Sequence, residues 1–345
     1  MQQSIYVGLD LGSSFCYQTV INADGVLERS RSIPTSEQHL RNAFADLHGD
    51  VRVHLEAGEL SNWVHSMIAP LVSIVVVSHP RSLAWIGKDA VKDDRIDARK
   101  LAELLRLNQV HAVYCESDNE RQTFKQLVVH YEDLSREQAR LKSKIKARLR
   151  TFGIIRKDGR LFSDSGQTAL LDEIKEPIIK LMLAQSFAVL NQMLAALKEA
   201  KTAMRDFAVH FPEVELLQTA PGVGIITACR FVAYLQTPRR FSNKRKLWRY
   251  CRLGITRRES NGKRLAHPRL DNAGVGSLKD VSRKVFEAAR RTKKDNSFKR
   301  FYEQSLTNTK NAVHARLSAQ RKIMATLRAM WMSNQPFRND LTEIG

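Results

Sequence analysis

"SIYVGLDLGSSFCYQTVINADG", residues 4–25, decides how the front of this chain is read. Its β-branched and aromatic residues fall into two runs, "SIYVGLDLG" (4–12) and "FCYQTVINADG" (15–25), joined by Gly12, Ser13 and Ser14. That is the pattern of a hairpin, and "VLERSRSIP" (26–34) continues it as a third strand after the Asp24-Gly25 turn. One residue is out of place. Asp10 sits mid-strand, where a carboxylate facing the interior has no structural purpose.

Working outward, "TSEQHLRNAFADL" (35–47) opens with a capping box from Thr35 to Gln38 and continues with apolar residues at helical spacing. "VRVHLEAG" (51–58) predicts a fourth strand carrying Glu56, "ELSNWVHSMIAPL" (59–71) a helix, and "VSIVVVSHP" (72–80) a fully buried fifth strand. In "KDDRIDARKLAELL" (92–105), Leu101, Leu104 and Leu105 give an apolar stripe, and Ala98 and Ala102 favour the helix. A three-stranded meander followed by helix, strand, helix, strand and helix is the ribonuclease-H order, an α/β fold with a mixed sheet flanked by helices.

The entrance to that last helix is acidic. Asp93, Asp94 and Asp97 suit a helix N-terminus, where carboxylates cap orphan N–H groups and meet the positive end of the dipole. Asp94 and Asp97, three apart on one face, equally suit a divalent cation. In a ribonuclease-H sheet the first and fourth strands are neighbours, so Asp10 and Glu56 come together, with the helix from Asp94 beside them. Four such carboxylates repel one another unless a cation neutralises them. Oxygen-only ligation suits Mg²⁺ or Mn²⁺, and two such ions clamp the attacking and leaving oxygens in phosphoryl transfer.

The charge is unevenly placed. Of the net +20, residues 1–100 carry 10 Lys and Arg against 12 Asp and Glu, whereas residues 201–345 carry 30 against 11. A basic back half meets a polyanion, in the first place nucleic acid. The four cysteines form no CxxC, so neither a zinc site nor a disulfide framework is indicated. No run approaches a membrane span, and "MQQSIYVGLDLG" enters a strand without the regions of a signal peptide. A cytoplasmic protein with no membrane partner is expected.

From Glu120 the pattern changes. Phe124, Leu127, Tyr131, Leu134, Leu141, Ile145 and Phe152 step as a coiled-coil stripe, and a second helical run from about 168 to 209 is interrupted at Pro177. Together they predict an antiparallel helical hairpin, suited to assembly or to carrying nucleic acid along "KSKIKARLR" (142–150). In "LLQTAPGVGIITACRFVAYL" (216–235), Pro221-Gly222-Val223-Gly224 before an apolar helix is like a helix–hairpin–helix unit. Gly222 and Gly224 would let backbone N–H groups approach a phosphate; a plain turn fits as well. The segment 239–270 then packs basic residues, among them Lys244, Arg245 and Lys246, around Phe241, Trp248 and Tyr250.

These segments resemble one family. "VGLDLG", "HLEAG", "SHP" followed by "KDDRIDARKLAELLR", "APGVGIITA", "RRFSNKRKLWRYCRLGITRRESNGKRL" and "NAG" are similar, along nearly the whole chain, to the DEDD transposases of the IS-one-ten insertion-sequence family. That family includes the IS-eleven-eleven subgroup and the Piv-type DNA invertases. The resemblance implies a RuvC-like N-terminal catalytic domain (1–115), with Asp10, Glu56, Asp94 and Asp97 as its metal-binding tetrad. It implies a coiled-coil helical region (116–210) and a mainly α C-terminal transposase domain (211–345) that supplies a nucleophilic serine.

Ser260 is the serine available for that role, with Arg257, Arg258, Lys263 and Arg264 near enough to hold phosphates. Leu270-Asp271-Asn272-Ala273-Gly274 departs from the family's Ile-Ser-Lys-x-Gly. Members cut and rejoin DNA at element ends and targets, and some are guided by a structured bridge RNA. DNA, such an RNA and further copies of the chain, as a dimer or tetramer, are therefore the implied partners, in a prokaryotic cytoplasm and at the nucleoid when DNA-bound. Two alternatives are a Holliday-junction-type resolving nuclease using water and a non-catalytic nucleic-acid-binding relative.

Overall fold

The computed structural model describes residues 4–83, 93–115, 118–156, 159–256, 259–261, 263–264 and 267–339. The chain forms two compact units, Met1–Asn119 and Glu120–Gly345.

The first unit is an α/β domain. Its elements are β1 (Ser4–Leu11), β2 (Phe15–Ile21), β3 (Leu27–Pro34), α1 (Glu37–Ala45), β4 (Asp50–Glu56), α2 (Ser61–Ile68), β5 (Ile74–Ser78) and α3 (Asp94–Arg106). The sheet order is β3-β2-β1-β4-β5, antiparallel along the meander and parallel where β1 meets β4 and β4 meets β5. This is a mixed five-stranded sheet consistent with a ribonuclease-H-like domain. Alternation sorts the two faces. Val7 and Leu9 of β1 and Val51, Val53 and Leu55 of β4 pack with Leu40 and Phe44 of α1 and Val64 and Ile68 of α2. The residues between them turn to the other face, which α3 covers with Ala98, Leu101, Ala102, Leu104 and Leu105.

Two local expectations change. The cap of α1 is Ser36, which accepts from the His39 N–H, because the Thr35 hydroxyl is engaged by the Gly12 carbonyl at 2.8 Å. β5 is an edge strand, so Ile74 is exposed and only Val76, Val77 and Ser78 are buried.

The second unit is mainly helical: α4 (Asn119–Thr151), α5 (Asp164–Glu173), α6 (Pro177–Phe207), α7 (Pro212–Gln218), α8 (Ile225–Leu235), α9 (Lys244–Tyr250), α10 (Gly276–Arg291), α11 (Ser297–Thr309) and α12 (Ala312–Ser333). Between α9 and α10 lie four two-residue strands, β6 (Ile255–Thr256), β7 (Glu259–Ser260), β8 (Lys263–Arg264) and β9 (Arg269–Leu270). Pro177 does not interrupt a helix; it begins α6, at a first-turn position where its missing N–H costs nothing.

The long helices serve two cores. Phe124 and Val128 of α4 and Met204 of α6 join the main core of α7, α8, α10 and α12. Farther along, Ile145 and Leu149 of α4 pack with Leu170 of α5 and Leu183, Phe187 and Leu190 of α6. The expected stripe is thus buried at its two ends, and Phe152 lies beyond the helix and exposed. By length and composition Pro177–His210 is apolar enough to cross a membrane, with 17% of its most apolar window buried. It also holds polar contacts, such as Asn191 with Gln167 at 2.9 Å.

Candidate functional site

β1 and β4 run parallel with Gly8 opposite His54 and Leu9 opposite Leu55, so Asp10 and Glu56 follow at the adjoining strand ends on the same face. That face is the one against α3. A Cβ on Gly8 would stand 1.8 Å from the Ala98 carbonyl oxygen and 2.6 Å from the Ala102 nitrogen, so the helix backbone lies directly on β1.

The first turn of α3 answers the question its aspartates raise. Asp93 is the cap: its backbone is extended and its carboxylate accepts from the Arg95 N–H at 2.9 Å. Asp94 and Asp97 follow inside the helix, Asp94 exposed and Asp97 half-buried. Helix capping therefore explains Asp93 but not the other two.

Asp10 records how the four acids act together. Burial first, then the charges of Asp94, Asp97 and Glu56, push its carboxyl up to about 6 from 3.8. The Leu11 backbone N–H opposes this only in part. A strand that places an anion among three others carries a cost that a cation removes. Among the described residues no three carboxylate, histidine or cysteine side chains are gathered into a ready-made ligand shell. The all-oxygen donor set of Asp10, Glu56, Asp94 and Asp97 fits a hard divalent cation.

In the second unit, β6 pairs with β9 and β7 with β8, both antiparallel. Ser260 pairs with Lys263 and is exposed, and Asn261 opens the connection with φ 50°. Asn-Gly between Ser260 and Lys263 is the signal that predicts such a two-residue hairpin. Arg257 and Arg258 lie outside the described residues.

The departing segment 270–274 has a structural role. Leu270 completes β9, and the Asp271 carboxylate receives Arg249 at 2.7 Å and the Ala273 N–H at 2.9 Å. Gly274 is at φ 112°, and a Cβ added there would stand 2.4 Å from the Tyr250 carbonyl oxygen.

The glycines of the PGVG turn differ from each other. Gly222 is required by packing: at φ 78°, its Cβ would stand 2.5 Å from the Val285 carbonyl oxygen of α10. Gly224 caps α8 and has open space around it. Lys244, Arg245 and Lys246 are exposed on the first turn of α9. The aromatics among the basic residues turn inward instead. Phe241 is buried, Trp248 donates to the Arg321 carbonyl at 2.9 Å, and Tyr250 donates to the Tyr234 carbonyl at 3.1 Å. They complete a core that the sequence between 239 and 270 does not itself contain.

Two models of transposase families match the chain. DEDD_Tnp_IS110, described as a transposase, matches residues 7–154, and the Transposase IS116/IS110/IS902 family matches residues 214–303. A search of curated proteins finds no match. The chain is a DNA transposase; it belongs to the IS110 family.

Proposed function

We propose that this transposase cuts and rejoins DNA with a divalent cation held by Asp10, Glu56, Asp94 and Asp97, and with Ser260 as nucleophile. The observation that carries the reading is the placement of acids from β1, β4 and α3 on one face of a sheet, where burial first and then the charges of Asp94, Asp97 and Glu56 raise the pKa of Asp10. Bound there, Mg²⁺ or Mn²⁺ would neutralise the acids and polarise a scissile phosphate.

Ser260 is exposed and pairs across a hairpin with Lys263. Its Oγ forms a bond to phosphorus as the bond to the leaving sugar oxygen breaks, and that oxygen takes up the proton. The phosphoserine link keeps the bond energy for rejoining. The RuvC-like assignment of the first unit and an order of 1–115, 116–210 and 211–345 for catalysis, assembly and transposase chemistry belong to this reading. So do a homo-oligomer, a structured guide RNA and a cytoplasmic, nucleoid-associated site of action. Gly222, Gly224, Lys244, Arg245, Lys246, Lys263 and Arg264, with Arg257 and Arg258, would hold phosphates; Gly222 is required by packing as well.

Mass spectrometry of a trapped protein–DNA adduct tests the proposal. A phosphodiester on Ser260 is the expected result. Cleavage without an adduct would indicate a water-using nuclease, and neither outcome a binding protein without catalysis.

A further inference from the structure

α3 must be held against the sheet at a set height and rotation if Asp94 and Asp97 are to face Asp10 and Glu56. Gly8 allows the close approach but does not fix it, because a missing side chain exerts no hold. Apolar packing holds α3 down, and a directional hold comes from His54, which is fully buried in the middle of β4 on the face that also carries Glu56. Its Nδ1 lies 2.8 Å from the Leu101 carbonyl oxygen of α3 and its Nε2 2.9 Å from the Ser78 hydroxyl of β5. A carbonyl only accepts, so Nδ1 donates, and neutral Nε2 accepts from Ser78. Both ring nitrogens are used, and one imidazole ties the helix to two neighbouring strands. Leu101 follows Asp97 by four residues, about 6 Å of helix rise, so the tie acts about one turn from Asp97 and about two from Asp94.

We propose that His54 is a positioning residue for the acidic site: its bond to the Leu101 carbonyl, backed by Ser78, sets the placement of Asp94 and Asp97 relative to Asp10 and Glu56. The inference rests on the reading of those four acids as the metal site. Both His54 ring nitrogens are engaged within the protein, so it acts through the elements it joins and not as a ligand. Its role is to keep two halves of a ligand set, carried on different elements, within reach of one ion despite their mutual repulsion.

The two hydrogen bonds can be separated. An asparagine amide nitrogen reaches about where Nδ1 stands and can still donate to Leu101, whereas a glutamine amide reaches where Nε2 stands and serves Ser78 alone. Mn²⁺ binding to full-length protein without DNA, followed by loss of the free-ion electron paramagnetic resonance signal, reads the site without asking for catalysis. His54→Asn should bind Mn²⁺ within about threefold of wild type, while His54→Gln and His54→Leu should bind about tenfold more weakly, the lower end of the effect of removing a group that orients metal ligands. Equal binding by all three, or His54→Asn as weak as His54→Gln, overturns the proposal.

If circular dichroism shows the Gln and Leu variants unfolded, Ser78→Ala carries the test, because it keeps the Leu101 bond and releases the far side of the ring. Weakening by about threefold supports the proposal and unchanged binding overturns it. The metal reading fails separately: wild type and Asp10→Asn would then bind Mn²⁺ alike, which removes the site and this inference with it. Wild type that binds better than Asp10→Asn, beside His54 variants that bind like wild type, removes the inference alone.

Discussion

Glu132 of α4 and Arg230 of α8, 98 positions apart, form an ion pair in which each side chain is less than a tenth exposed. Every strong valence of the pair is met. The second Glu132 oxygen receives the Tyr234 and Ser277 hydroxyls, each at 2.7 Å, and Arg230 reaches Asp280 at 2.8 Å. The base of the long helix α4 is thereby fastened to α8 and α10. A satisfied buried pair adds little net stability, but one partner left alone is a buried, uncompensated charge. Arg230→Met should lower stability by about 3–5 kcal/mol, read by chemical denaturation. Glu132→Gln should cost less, since an amide still accepts from Tyr234 or Ser277. A loss below about 1 kcal/mol for Arg230→Met would contradict the fastening role.

Gly8→Ala places a methyl 1.8 Å from the Ala98 carbonyl oxygen. Backbone on both sides leaves no flexible side chain to yield, so α3 must lift or slide. The variant should lose several kcal/mol, at the upper end of overpacking costs of about 1–3 kcal/mol or beyond. Any folded fraction should lose strand cleavage, because Asp94 and Asp97 travel with α3. A variant that melts and cleaves like wild type would show that the close approach carries no function.

Much of this architecture is legible along the chain. The five strands declare themselves by β-branched runs and turn residues, and Asp10 declares itself by being a carboxylate where a strand interior wants none. What could not be read depends on partners far away. His54 acquires its role from a carbonyl 47 residues on, and no local pattern separates it from an ordinary buried histidine. Phe241, Trp248 and Tyr250 sit among cations and look like a nucleic-acid surface until α12 and α8 supply the core they enter. Asp271 departs from the family pattern, yet its bond with Arg249, beside the close approach of Gly274 to the Tyr250 carbonyl, shows a loop closure that a motif comparison does not contain.

The division of labour between Asp93 and its neighbours can be tested with matched substitutions. Asparagine caps a helix as well as aspartate, so Asp93→Asn should keep both the fold and cleavage; Asp93→Ala should cost about 1 kcal/mol of stability through the lost cap. Asp94→Asn and Asp97→Asn should keep the fold, with no loss of melting temperature in metal-free protein because each relieves repulsion on Asp10, and should reduce cleavage about a hundredfold. Equal damage to cleavage from Asp93→Asn and Asp94→Asn would shift the acidic register by one residue.

Lys244, Arg245 and Lys246 stand on the first turn of α9, where the helix dipole disfavours positive charge. Cations kept there against the local field suit an external anion. If each meets a phosphate on duplex DNA, replacing all three with alanine should flatten the log–log salt dependence of binding by about 0.9 per lost contact. Fluorescence anisotropy across a salt series measures the slope. An unchanged slope would move the phosphate contacts elsewhere on the basic unit.

Asp10 gives the acidic site a pH signature in metal-free protein. Its carboxyl titrates near 6 in the fold against 3.8 ordinarily, so the folded state binds its proton more tightly than the unfolded chain does. The stability this contributes is fully present below 3.8 and is lost as pH rises through about 6. Above that range Asp10 is charged among Asp94, Asp97 and Glu56, and the repulsion persists. Asp10→Asn keeps the shape and stays neutral at every pH. Without metal it should therefore melt close to wild type at pH 4 and above wild type at pH 7.5. Added Mg²⁺ should raise the wild-type melting temperature at pH 7.5 and leave Asp10→Asn much less affected, since the ion then replaces the proton as the neutralising charge. Melting curves for the two proteins at both pH values, with and without EDTA, decide the matter; wild type melting above Asp10→Asn at pH 7.5 in EDTA would mean that the four carboxylates do not repel one another across this site.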